Sequence, residues 1–99
     1  MYDMAHLAKM KAMKQHAPEA MAAFAAFDAA AFAAGALPVK VKELIAVAVA
    51  VTTQCPYCIE IHAKRAKALG VTEAELTEAT LVAAAIRAGG AVTHTCHAV

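Results

Sequence analysis

The side chains best suited to chemistry in this chain are two cysteines at C-x-x-C spacing, Cys55-Pro-Tyr-Cys58, followed four residues later by His62. Pro56 has no N–H to lose in a first helical turn, so the pair reads as the start of a helix. Unpaired N–H groups and the helix dipole favour an anion there, which stabilises a thiolate. His62 falls on the same helical face as Cys58, one turn on, where an imidazole can take a thiol proton or return one to a leaving group. Glu43 stands upstream of Cys55 with eleven residues between them, just before the apolar run Leu44 to Val51. A carboxylate in that place is costly to bury unless paired or protonated. Folding its helix back against the next would bring it beside the Cys–His pair. The whole pattern, E-x11-C-x2-C-x3-H, is a dithiol with two proton carriers. A thiolate that attacks a peroxide oxygen becomes a sulfenic acid, and the second thiol closes a disulfide. An external dithiol then reopens that disulfide by exchange. Cleaving a peroxide also needs a proton for the departing alcohol, a use for two acid–base groups. Both electrons come from the thiols, so no metal or organic cofactor is required.

Zinc is the competing chemistry. Cys55, Cys58, His62 and one of His94, Cys96 or His97 would make a four-ligand N/S set. The cluster His94-Thr-Cys-His97 otherwise reads as a solvated tail, with His94 the member able to approach the active-site helix of its own or a neighbouring chain. His6 and His16 read as surface residues. Lys9, Lys11 and Lys14 read as a solvated face, because no aromatic platform for nucleic acid accompanies them.

The elements that must position these groups are helical. With 62% hydrophobic residues, 17% charged and abundant Ala, the chain is the reverse of a disordered one. The formal charge of 9 − 8 = +1 leaves no field to draw nucleic acid or an anionic membrane. Punctuation divides the chain into about six helices. The first runs from about Tyr2 to Gln15. The second runs from Pro18 to about Gly35, with Met21, Phe24, Phe27 and Ala31 as a core or subunit-interface stripe. Pro38 opens the third, whose alternating Val and Ala could also suit a strand. Nothing else offers that strand a partner, so we expect a helix buried nearly all round. The fourth spans Cys55-Pro56 to Leu69-Gly70. Thr72-Glu-Ala-Glu75 is a capping box that opens the fifth. We expect Gly89-Gly90 to end the fifth near Arg87 or Ala88, leaving a short last helix from Ala91 to about Ala98. The expectation is one all-α domain over residues 1–99, with N-terminal helices over 1–35 and a CxxC-bearing core over 36–99. No apolar run is long enough to cross a bilayer, and no signal peptide is visible. An odd number of cysteines outside a secreted scaffold points to a reducing, cytoplasmic setting. So small a domain cannot hide this much apolar surface alone, which points to a homo-oligomer.

These residues resemble the AhpD-like alkylhydroperoxidases within the carboxymuconolactone decarboxylase family. The resemblance runs from about Pro38 to His94, through Val39-Lys-Val-Lys-Glu43, Cys55-Pro-Tyr-Cys-Ile-Glu-Ile-His62, Gly70-Val-Thr-Glu and Ala88-Gly-Gly-Ala91. Residues 1–35 match only in being helical. The resemblance implies an all-α fold, a homo-oligomer that is commonly a trimer or hexamer, and a thiol-dependent peroxidase. It implies that Cys58 attacks the peroxide, that Cys55 resolves, and that Glu43 and His62 relay the proton. Position alone points partly the other way, because Cys55 lies nearest the helix start and reads as the more exposed thiol. AhpD proteins carry a His just before the second cysteine, where this chain has Tyr57, which cannot shuttle protons near neutral pH as a His can. The family's decarboxylases lack the cysteine pair, which sets a lactone decarboxylase aside. The expected partners are a small peroxide, a dithiol reductant and further copies of the chain. The alternatives are a dithiol oxidoreductase that does not act on peroxide, and a non-catalytic zinc or redox-switch module.

Overall fold

A computed structural model describes residues 2–99, and they fold as two compact units, one reaching to Val39 and one over Lys40–Val99. In the first, a 3-10 stretch Met4–Lys9 leads into α1 (Met10–His16), which contacts α2 (Pro18–Phe32). Asp3 caps the start, its Oδ1 accepting the Ala5 N–H at 2.9 Å. The residue before a proline is pushed out of the helical region. Ala17, at φ −139 and ψ 66, accordingly separates α1 from α2. The expected single helix from Tyr2 is therefore corrected to a 3-10 segment followed by a short α-helix. The tighter winding is common where the first N–H groups of a helix lack partners. Phe24 and Phe27 of the aromatic stripe are exposed, so within the chain that stripe is not core.

The second unit is built on α3 (Val39–Thr53), α4 (Pro56–Ala68) and α5 (Glu73–His94), with a closing 3-10 turn Thr95–His97. No strand occurs among the described residues. Lys40 pairs with Glu75 at 3.7 Å, and the Arg87 guanidinium donates to the Thr52 carbonyl at 2.6 Å. Both links span 35 residues in the same sense, so α3 and α5 run parallel, with α4 joining them along the chain. Glu43, Val47 and Ala50 share one face of α3 and are buried, along with Ala66 and Val71. The opposite face of α3 carries Ile45 and Val49, both exposed. The expectation of a helix buried nearly all round is thus corrected: in one chain α3 is buried along a single face.

Both turns of this unit use one device. Gly70 (φ 88) follows α4, its N–H donating to Lys67 and the Val71 N–H to Ala66, each at 3.0 Å. That is a Schellman cap, with Ala66 and Val71 making its apolar closure. After α3, Gln54 (φ 57) takes the left-handed place and the Cys55 N–H reaches back to the Ala50 carbonyl at 3.1 Å. Thr72 opens α5 as a complete capping box with Glu75. Gly89-Gly90 does not end α5, which continues to His94. Glycine costs a helix only about 1 kcal/mol relative to alanine and removes no hydrogen bond, unlike proline, so the Ala-rich flanks carry the helix through.

Candidate active site

Cys55 is the last residue of one cap and the first of the next. Its N–H closes the end of α3, and its side chain caps α4, with Sγ accepting the Cys58 N–H at 3.3 Å. All three cysteines are free thiols; Cys55 and Cys58 are half-buried and Cys96 is exposed. The Cys58 S–H donates to Cys55, and with the N–H groups of Cys58 and Tyr57 it holds the Cys55 thiol below its usual range. The same bond pushes the Cys58 thiol up, since its proton is engaged, and burial and the adjacent Cys55 charge add to the effect. The two thiols are therefore unequal: Cys55 is the more acidic, and Cys58 holds its proton more tightly.

Glu43, on the buried face of α3, meets His62 of α4: Oε2 and Nδ1 are 2.7 Å apart, with the two side chains only 4% and 15% exposed. The pairing supplies what a carboxylate ahead of an apolar run needs. An ionised carboxylate on Nδ1 fixes the ring with its proton there and makes Nε2 the basic nitrogen. His62 lies one turn beyond Cys58 on α4, so the dithiol and the Glu–His pair share the N-terminal half of that helix. The structure thus joins Cys55 to Cys58 and Glu43 to His62.

The C-terminal cluster stays by itself. His94 Nδ1 lies 2.8 Å from the Gly90 carbonyl, and its ring lies 5.8 Å from that of His97. Among the described residues no group of three or more His, Cys, Asp or Glu side chains is gathered to hold a metal ion, so the zinc set considered from sequence is not assembled within one chain. His6 and His16 are exposed, as are Lys9, Lys11 and Lys14. No helix among the described residues is long and apolar enough to cross a membrane. Sequence reasoning missed Arg87, which ties α5 to the end of α3. The available signal was that Arg87 is the one Asp, Glu, Lys or Arg after Glu78.

A model described as the carboxymuconolactone decarboxylase family matches residues 18–99, which extends the expected resemblance N-terminally to take in α2. The chain is 53% identical over 72 residues to "Uncharacterized protein 4 in cox locus" of Paracoccus denitrificans, covering 73% of this chain and 65% of that protein. It is 42% identical over 79 residues to an uncharacterized protein of Cupriavidus necator, covering 80% and 68% of the two chains. The alignments thus span about two thirds of each relative's length. A crystal structure of a protein from Methanobacterium thermoautotrophicum superposes with a TM-score of 0.81 at 39% identity, over 86% of this chain and 96% of that one.

Proposed function

The chain belongs to the carboxymuconolactone decarboxylase family, and from that membership and its dithiol we propose that it is a thiol-dependent peroxidase acting on alkyl hydroperoxides or other small peroxides. The observation that carries this reading is the thiol pair at the start of α4 with the buried Glu43–His62 pair, closed at 2.7 Å, one turn on. Cys58 gives its proton to His62, which Glu43 holds in place, and the thiolate attacks the terminal peroxide oxygen. The O–O bond breaks, the alkoxide leaves with the proton from His62, and Cys58 becomes a sulfenic acid. The Cys55 thiol then attacks that sulfur, forming the disulfide, and the expelled hydroxide takes the Cys55 proton and leaves as water. A dithiol reductant, a protein or a small molecule, restores both thiols by exchange. The low Cys55 thiol suits both resolution and departure, because a less basic thiolate leaves faster. Dependence on such a reductant fits a cytoplasmic setting.

The same observation on Cys55 favours a second reading, a dithiol oxidoreductase in which Cys55 attacks a partner's disulfide and peroxide is no substrate. Single serine variants separate the two. With dithiothreitol as reductant, Cys58→Ser abolishes peroxide consumption if the first reading holds. If Cys58→Ser still consumes peroxide, that assignment of roles fails. Disulfide reduction without peroxide consumption by the unmodified protein selects the second reading.

The active form in this proposal is a homo-oligomer, a trimer or a hexamer. Only Val47, Ala50, Ala66 and Val71 form the buried apolar core among the described residues. Meanwhile a cavity of about 310 Å³ between α3 and α5 lies open, floored by Ala48, Ala79 and Ala83 and flanked by Val49, Val82 and Ile86. A second copy covering that face would supply the burial that a unit of this size lacks.

A further inference from the structure

Only Gln54 separates the last residue of α3 from Cys55, the cap of α4, so the end of α3 sets where the Cys55 sulfur stands. Gln54 holds a left-handed backbone (φ 57), which side chains other than glycine adopt reluctantly. Such a conformation persists only where its surroundings over-determine it. Three contacts do so here. The Cys55 N–H closes back on Ala50 at 3.1 Å, and the Thr53 hydroxyl donates to the Val49 carbonyl at 3.0 Å. The third comes from outside the turn: Arg87 Nη1 of α5 donates to the Thr52 carbonyl at 2.6 Å. That oxygen is one of the carbonyls a helix end leaves without an internal partner, and a cation there also complements the helix dipole. The first two contacts are local to α3 and move with it, whereas Arg87 is anchored in a 22-residue helix.

We infer that Arg87 is a positioning residue for the dithiol: by pinning the final turn of α3 to α5 it holds Gln54 left-handed and keeps the Cys55 sulfur on the Cys58 N–H. The groups that lower the Cys55 thiol are Cys58 and Tyr57, so Arg87 acts through the backbone and not through its own charge. The inference rests on the dithiol reading of Cys55 and not on which oxidant the pair meets.

The test is the pH dependence of Cys55 alkylation by iodoacetamide in the reduced full-length protein, located by tandem mass spectrometry, with far-UV circular dichroism as a check on folding. In Arg87→Met the midpoint rises by about half a pH unit or more, about a threefold loss of thiolate below it. Arg87→Lys, which keeps a donor for the Thr52 carbonyl, stays close to the unmodified protein. Adding Gln54→Gly to Arg87→Met restores the midpoint, because glycine holds the left-handed turn without help. An unchanged midpoint in Arg87→Met overturns the inference, and so does a shift that Gln54→Gly leaves in place. If Arg87→Met loses its helical content, Arg87→Ala decides, since alanine also removes the donor and favours the helix: a rise of about half a unit supports the inference and the unmodified midpoint overturns it. None of these readouts uses peroxide, so failure of the peroxidase reading would show separately, as intact thiols after peroxide treatment.

Discussion

Cys55 and Cys58 are three residues apart and chemically unequal, because one accepts hydrogen bonds at a helix start and the other donates its proton to it. The Cys55 thiol is lowered, so it contributes stability that is present above the unfolded thiol's pKa and lost as pH falls through the folded value. For Cys58, which is raised, the stability is present below the unfolded value and lost as pH rises through the folded one. Urea denaturation of the reduced protein against Cys55→Ser should therefore show the unmodified protein gaining on the variant as pH rises through the Cys55 transition. A constant difference would contradict the assignment. The Glu43–His62 pair makes a second prediction. His62→Ala strands a buried carboxylate and should cost about 2–3 kcal/mol in the same measurement. Peroxide consumption should fall about 100-fold or more with the loss of the proton carrier. The pair was legible in sequence because a carboxylate ahead of an apolar run needs a partner. The inequality of the two thiols was legible only in part: the helix start marked Cys55, whereas the proton that Cys58 donates to it shows only in the structure.

At the scale of elements, local chemistry was the most readable. Pro18, Pro38 and Pro56 mark three helix starts, and the Thr72 capping box marks a fourth, because each acts within one turn. Thr72→Ala should cost about 1 kcal/mol in denaturation experiments by removing the acceptor for the Glu75 N–H. Gln54→Gly should stabilise by about 0.5–1 kcal/mol, the left-handed penalty less the added freedom of the unfolded chain. A destabilised Gln54→Gly would show that the glutamine side chain has a role beyond its backbone. Gly89-Gly90 was misread because two glycines weaken a helix without forbidding it. Arg87 was overlooked because its partner is a backbone carbonyl 35 positions away, and no residue spacing records such a contact.

For the whole molecule, composition already said that apolar surface exceeds what one small chain can hide, and the structure shows where it lies. Val82 and Ile86 of α5 are 64% and 73% exposed beside the open cavity against α3. Which helix faces remain open was not legible, since the Val and Ala of α3 look alike on its buried and exposed sides. Sedimentation should find a mass several times 10.2 kDa. Val82→Asp with Ile86→Asp should dissociate that assembly, because a buried interfacial charge without a partner is strongly unfavourable. A unit-mass species in the unmodified protein would remove the oligomer from the account.

The most direct test of the dithiol peroxidase is a thiol count and intact mass on reduced protein before and after an equimolar amount of cumene hydroperoxide. The expected result is loss of the Cys55 and Cys58 thiols, a mass drop of about 2 Da, a disulfide mapped between them, and Cys96 unchanged. Survival of both thiols at full reduced mass would contradict it at its first step.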